Sequence, residues 1–521
     1  MSKTKKSMHL SLIIVFLLIW NATGCVPGAY NRLKREVRAV TELGLLDKDS
    51  PYLKVHLLDG RVYILSSWST NEQNGAVSGN GDLLDINRNL IKTGNFTVPL
   101  EEVALFETNV VGSSHQIQAM TILSVPSALI SILCLSNPKA CFGSCPTFYA
   151  WDGEKMQLQA EGFSSSVTRA LEARDIDALY RAKPAGPNFE LRVTNEAMET
   201  HVIRSAKVMV APRPKNGRIF ATTSQEFWQA TEMIQPSRCT AAEGDCLEKV
   251  RAYDGIERFS KADSTDLATR EILELEFDTL PPGKLGLILS FRQTLLTTFL
   301  FYQGLAYMGR ASGYWISRLE RADQEVRGYS QSVGEVLGGI EVLVENNKGK
   351  WIKAGEIKET GPIASDTKVV LLPEIKSSPL KVRLRLACGL WRLDYLSLAE
   401  LVRRVEPIRI EPSLILNGDS VDEEAKRRLL DPSEVLVTMP GDAYTLIFDL
   451  PSDFQDYELF LESQGYYLEW MRENWLAEES FAKTVTMFTN PQRFLKEIAP
   501  EFKKAEPQME EAFWRSKYAK K

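Results

Sequence analysis

Residues Val382-Arg-Leu384-Arg-Leu386 alternate aliphatic and arginine side chains without a break. A strand points successive side chains to opposite faces, so this stretch has one face for a core and one for water. The same period of two recurs at Leu191-Arg-Val193, Val208-Met-Val210, Leu273-Glu-Leu275-Glu-Phe277 and Ile340-Glu-Val342-Leu-Val344, with turn residues between. From residue 146 to about residue 412 the chain therefore reads as a β-sandwich-like region of half-buried strands. One segment breaks the pattern. Residues 294–308, TLLTTFLFYQGLAYM, are apolar on nearly every face and predict a helix buried all round.

Outward from this region the same logic extends to both ends. Leu53, Val55 and Leu57 lead into Asp59-Gly60, and Val62 to Leu65 return, which predicts a hairpin because Asp-Gly supplies the positive φ of a tight turn. Gly79-Asn80-Gly81 and Gly94-Asn95 read as further turns between short strands, giving a small β-barrel or curled sheet. Residues 117–135 carry no charge but include Pro126 and three serines, so they read as a buried or surface-docked helix rather than a second membrane span. From Gly465 onward helix formers dominate. Most aromatics there read as packing residues, with Tyr467 and Trp470 as candidate binding residues at the surface. The fold class expected is mainly β with α additions (α+β). Its divisions are a leader at 1–24, a tether with a short helix at 25–49, a small β domain at 50–112 and a hydrophobic connecting helix at 113–140. A central β-rich region at 141–412 and a C-terminal strand-plus-helix region at 413–521 complete it.

The first residues carry Lys3, Lys5 and Lys6, then an apolar run to Trp20, then Ala22-Thr23-Gly24-Cys25, which is the plan of a cleaved signal peptide. The segment resembles a bacterial lipoprotein signal, whose lipobox ends in a small residue and an acylated cysteine; Ala22 stands where leucine is commoner. The resemblance implies lipidation of Cys25 and a body held at a membrane surface by acyl chains, each buried methylene contributing about 0.8 kcal/mol. Val26 is not the aspartate of an inner-membrane retention signal. The expected location is thus the cell envelope, on the outer membrane facing the periplasm where there are two membranes.

The chain has 521 residues and a net charge of −6, with no long block of one sign, so a nucleic-acid partner is not expected. Arg32-Leu-Lys-Arg-Glu-Val-Arg38 reads as a solvated helix face near the anchor. Six cysteines remain beside Cys25, and in an exported chain they suit local disulfides, Cys141 with Cys145 and Cys239 with Cys246. C-x-x-x-C-P at Cys141–Cys145 also looks like the copper motif of the Sco copper chaperones, with His201 as the available third ligand. Against that, Phe148-Tyr-Ala-Trp151-Asp152-Gly153 with Met156 and Leu158 reads as another hairpin, where the resembled motif opens a helix. No metal or cofactor is therefore assigned. Asp175-x-Asp177 and Glu458 with Glu462 are the acidic pairs that a glycosidase could use, and solvated strand faces are the plainer reading.

The segments CPTFYAWDGEKM, LRVTNEAMETHVI, YDGIERFSKAD and KVRLRLACGLWRLDY together resemble a β-rich module of uncharacterised exported bacterial lipoproteins, sometimes joined to β-propeller-type or TPR arrays, over roughly residues 145–400. YELFLESQGYYLEWMRENW resembles a narrower group of such lipoproteins. The resemblance implies an exported β-rich body and brings no catalytic residue with it. The function expected is a lipid-anchored, non-catalytic binding or scaffold component with an envelope protein partner. The alternative is an envelope hydrolase acting on glycan or peptide, or a copper or redox protein using Cys141, Cys145 and His201. Labelling with an alkyne fatty acid is expected to mark the wild-type chain and not Cys25→Ser; label that persists in the variant rules the lipidation out.

Overall fold

A computed structural model describes residues 32–50, 52–59, 61–71, 75–84, 90–112, 145–167, 169–197, 199–309, 333–358, 361–374, 378–451, 456–469 and 478–515. Cys25, Cys134, Cys141, the segment 117–135, Trp470 and Trp475 lie outside these residues. The chain divides into two compact units, one holding the sequence up to residue 133 together with 303–318 and 470–490, the other holding the remainder.

The first unit contains a six-stranded antiparallel sheet in the order Arg32–Ala39, Val103–Gly112, Tyr52–Leu57, Val62–Asn71, Ala76–Leu84, Leu90–Pro99. The hairpin across Asp59 is present, with Leu53 opposite Leu65 and Val55 opposite Tyr63. Leu53, Val55, Leu57, Leu65, Val77, Val98 and Phe106 form its inner core. Two expectations are corrected. Residues 32–39 are a strand of this sheet rather than part of a tether and helix, since Leu33, Val37 and Ala39 fall on alternate positions and pair with Val111, Glu107 and Leu105. Gly79-Asn80-Gly81 and Gly94-Asn95 lie within strands, not at turns. A Cβ on Gly81 would come within 1.9 Å of the Ile64 carbonyl oxygen, so glycine is required by the close approach of the neighbouring strand. Among the described residues no ladder joins the first and last strands, so the sheet is not closed by hydrogen bonds.

The second unit stacks several β layers. An outer sheet runs in the order Ser420–Val421, Leu414–Asn417, Ala443–Asp449, Asn188–Thr194, Thr147–Trp151, Met156–Glu161. The expected hairpin at Asp152-Gly153 is there, Trp151 facing Met156 and Gly153 taking φ +104. A middle sheet follows, Ile408–Ile410, Glu199–Pro212, Tyr457–Glu469, Ala173–Ala178, with Leu436–Thr438 also on Glu199–Pro212. Phe148, Phe189, Leu191, Phe448 and Leu446 of the outer sheet share one core with Ile203, Val208, Val210, Leu459 and Leu461 of the middle sheet, which is a sandwich. The other face of the middle sheet, with Ile176, Met209 and Phe460, packs on Ile219, Ala221 and Phe227. The division expected at residue 412 does not separate these sheets: strands after it pair along the full length of strands before 213.

Those last three residues lie on the outside of a five-stranded barrel. Phe227–Ile234 pairs with Arg218–Ala221, which runs parallel to Asp366–Leu371; Leu285–Gln293 and Trp391–Val405 follow, and Trp391–Val405 returns to Phe227–Ile234. Phe220, Ala230, Ile288, Val369, Ala399 and Leu401 share one core cluster among these strands. The closed barrel thus belongs to the central region, while no closing ladder is seen among the described residues of the amino-terminal sheet. A last sheet, Gly244–Asp245, Arg238–Ala241, Arg270–Phe277, Leu380–Ala387, Ile340–Glu345, Trp351–Ile357, lies against it where Gly355 backs onto Val370. In it Leu273, Leu275, Leu384 and Leu386 are buried, while Arg383 pairs with Glu274 across the strands on the opposite face, as the alternation at 382–386 requires.

Helix Leu296–Met308 buries Leu296, Phe299, Leu300, Leu305 and Met308, as expected for an apolar segment. The helical tail begins later than expected: Tyr457–Glu469 is a strand, and the helices are Phe481–Thr489 and Pro491–Arg515. In the second of these Phe494, Leu495, Ile498, Phe502, Met509 and Phe513 recur at helical spacing and are buried. Phe460 joins the middle sheet to the barrel, its ring 4.9 Å from Phe227 and 5.7 Å from Tyr180. Phe460→Ala is expected to cost about 3–5 kcal/mol, read as a lowered urea midpoint. A shift of the size surface substitutions give, under about 0.5 kcal/mol, would show that the layers do not depend on this contact.

Candidate functional site

A group of buried ionisable side chains sits where the middle sheet meets the barrel. Asp175 and Asp177 project from one face of Ala173–Ala178, two residues apart, as a strand dictates. Among the described residues that strand is an edge of its sheet, paired with Tyr457–Glu469 alone. Its open side is satisfied by side chains of Asp366–Leu371. Asp366 Oδ1 accepts from the Ala178 N–H at 3.3 Å, and Lys368 Nζ donates to the Ile176 carbonyl at 2.5 Å. Lys368 Nζ also lies 2.8 Å from Asp366 Oδ2. Nearby, Glu161 Oε2 accepts from the backbone N–H groups of Ile363 and Ala364 at 2.6 and 2.7 Å.

One lysine faces three aspartates here, and the environment is dry. Burial first, then the Asp175 and Asp366 charges, pushes the Asp177 carboxyl well above its ordinary range, and Asp177 Oδ2 has no hydrogen-bond partner among the described residues. Burial likewise raises Asp175, although Lys368 opposes it. Burial works against the Lys368 ammonium, but Asp366, Asp177 and Asp175 outweigh it and hold its pKa up. Ser463, directly opposite Asp175, is fully buried, its hydroxyl without a hydrogen-bond partner among the described residues. The solvated face expected for this pair is therefore corrected at Asp177, which is only 5% exposed because Asp366 and Lys368 of the barrel close the strand's free edge, while Asp175 is half-buried. The sequence offered Asp175 and Asp177. Asp366, Lys368, Glu161 and Ser463 come from distant segments, and their one local signal is a charged pair, Asp366 and Lys368, heading the apolar run Val369-Val370-Leu371.

The other acidic pair is also buried rather than solvated. Glu458 takes both forks of Arg218, with Nε at 2.8 Å and Nη2 at 3.1 Å. Glu462 lies 3.1 Å from Arg409 Nε and 3.5 Å from Arg174 Nη1. Buried carboxylates so paired are fastenings, since removing one partner strands a charge.

His201 is fully buried on Glu199–Pro212, its Nε2 2.7 Å from Glu199 Oε1. Beside it Asn195 Nδ2 donates to the Glu199 and Thr438 carbonyls. Tyr149 donates to Glu196 at 2.9 Å, and burial raises its phenol pKa. Cys145 is buried ahead of Thr147–Trp151; Cys141, its expected partner, lies outside the described residues. Among the described residues no group of three or more His, Cys, Asp or Glu side chains is placed to hold a metal. Tyr467 is corrected as a surface candidate. It is 7% exposed, lies in the middle sheet opposite His201, and donates its hydroxyl to the Ser164 carbonyl at 3.1 Å.

The fold brings Cys239 and Cys246 together across a tight hairpin, with the Cys246 N–H donating to the Cys239 carbonyl at 2.9 Å. In place of the expected disulfide the two side chains are free thiols, and their proximity raises Cys239 and lowers Cys246, with the Arg258 guanidinium adding to the second effect. Arg258 itself is fully buried between Glu271 and Glu243, the latter in the hairpin turn.

No family model matches the chain, and no curated protein matches it. Among solved structures, the secreted serine protease VesC from Vibrio cholerae aligns over 72% of this chain and 77% of its own at 9% identity, with a TM-score of 0.14. That score carries no argument about fold or activity.

The Asp177 carboxyl titrates higher folded than unfolded, so the folded state holds the extra proton and this group's contribution to stability falls as pH rises above the ordinary aspartate range. Asp177→Asn removes that loss. Its thermal midpoint relative to wild type is expected to be higher at pH 8 than at pH 5. A difference independent of pH would show that Asp177 is ionised throughout. Lys368→Met is expected to destabilise by about 3–5 kcal/mol by leaving the aspartates without a cation.

Proposed function

We propose that the protein is a lipid-anchored, non-catalytic binding or scaffold component of the bacterial envelope, held through Cys25 and working with an envelope protein. The observation that supports this is the fate of the acidic side chains. Glu458 and Glu462 are held by arginines, Glu199 by His201, and Asp177 is closed off under the barrel. A hydrolase needs two carboxyl groups in reach of a bound substrate, and these are structural fastenings. The outer sheet, by contrast, ends in a strand, Met156–Glu161, with a ladder on one side only among the described residues. At its start Trp151 and Met156 face each other and are 42% and 40% exposed. An edge strand with an exposed aromatic beside it suits β-strand addition by a partner.

A photocrosslinking side chain at Trp151 or Met156, in cells, is expected to capture the same envelope protein from both positions, and Cys25→Ser is expected to lose it. If neither position captures a reproducible partner, while the purified protein cleaves a glycan or peptide and Asp177→Asn abolishes the cleavage, the enzyme reading replaces this one.

A further inference from the structure

The amino-terminal sheet carries an organised polar surface on the face away from its core. Tyr52, Ser66, Asn80 and Asn95 are directly opposite one another on four consecutive strands, so they form one straight row, with about 4.8 Å between neighbours. Asn80 Nδ2 donates to Asn95 Oδ1 at 3.0 Å, which leaves the Asn80 carbonyl and the Asn95 amide turned to solvent. The flanking rows are tied in the same way: Ser78 bonds Thr97 at 3.0 Å on one side, and Thr93 donates to Asp82 at 2.6 Å on the other. The glycines at 79, 81 and 94 alternate with the polar residues along their strands and fall on the opposite face, so the side chains of Ser78, Asn80, Asp82, Thr93, Asn95 and Thr97 form the outer ladder.

The geometry points to a binding face for an uncharged oligosaccharide, lying across the strands along the row from Tyr52 to Asn95. The row presents hydroxyl and amide groups at intervals close to the length of a sugar ring, and the Ser66 bond to the Asn80 backbone carbonyl and the Asn80–Asn95 bond fix three of them before any ligand arrives, which lowers the ordering cost of binding. Tyr52, 51% exposed at the end of the row, presents a ring on which the C–H face of a sugar can rest while its hydroxyl stays wet. Charge argues for a neutral ligand. The one lysine in the adjoining row, Lys54, is spent on Glu107 at 2.8 Å, and Asp82 is engaged by Thr93. Among the described residues no surplus cation remains in these rows to recruit phosphate or an acidic polymer, and the row itself holds no aliphatic anchor around which a protein interface would centre.

This inference is independent of the anchored-scaffold reading; a glycan binder that crosslinks to no protein would end that reading and leave this one intact. The test is calorimetry or affinity electrophoresis of the full chain in detergent with neutral chito-, cello- and malto-oligosaccharides, and with polygalacturonate as an acidic polymer. Binding of at least one neutral series is expected, weakened about tenfold by Tyr52→Ala and by Asn95→Ala, each checked for unchanged far-ultraviolet circular dichroism. Asn80→Asp, which keeps the size and adds charge, is expected to weaken it as well. Absence of binding to all three neutral series, binding that the three variants leave unchanged, or equal binding of polygalacturonate that salt abolishes would each overturn the assignment.

Discussion

The ladder between Glu199–Pro212 and Tyr457–Glu469 holds the second unit together. It runs from Glu199 opposite Glu469 to Pro212 opposite Tyr457, and both its faces are buried, one by the outer sheet and one by the barrel. Joining segments so far apart carries a loop-closure cost of about 5 kcal/mol. Val202, Val208, Met209, Val210, Phe460 and Leu461 become fully buried in return, and each such side chain contributes about 1.5–3 kcal/mol. Burial therefore wins, provided that both neighbouring layers are in place. The cooperativity of the unit follows from this: the central ladder needs its covers, and the covers meet chiefly through it.

The same constraint explains the unusual electrostatics. A sheet buried on both faces cannot leave its edge strand unsatisfied, because unpaired backbone groups in a dry site are costly. Asp366 and Lys368 supply the missing acceptor and donor to Ala178 and Ile176. Doing so places a carboxylate and an ammonium beside Asp175 and Asp177, and the aspartates are driven toward their neutral form. A cluster that would read as an active site from residue types alone is thus the sealing of a strand edge.

How far the sequence carried this depends on range. Period two at 273–277 and 382–386 marked strands that do pair, Leu273 opposite Leu384 and Leu275 opposite Val382. The hairpins at Asp59 and Asp152, and the buried helix at 296–308, were equally legible because their signals are local. What was not legible is which strands meet. Tyr467 looked like a surface aromatic because nothing near it reveals a covering layer, and Glu458 and Glu462 looked solvated because Arg218, Arg174 and Arg409 lie far away in the chain. The glycines at 79 and 81 misled for a related reason. They answer to the strand at 62–71 rather than to their own backbone turn. Of the site, two aspartates were visible; the residues that bury and neutralise them belong to other segments.

The barrel has a further consequence, for the order in which the chain becomes available. Trp391–Val405 pairs with Leu285–Gln293, Phe227–Ile234 and Arg258–Phe259, and it is the last of these strands to be synthesised. Until residue 405 has emerged, the earlier strands have open, largely apolar edges that can pair with any neighbouring chain as readily as with their own. A nascent polypeptide of this kind gains little by folding early. It must be kept extended and apart from its copies until nearly four-fifths of its length is present, and a chain truncated before that strand is a template for aggregation rather than a smaller version of the same protein.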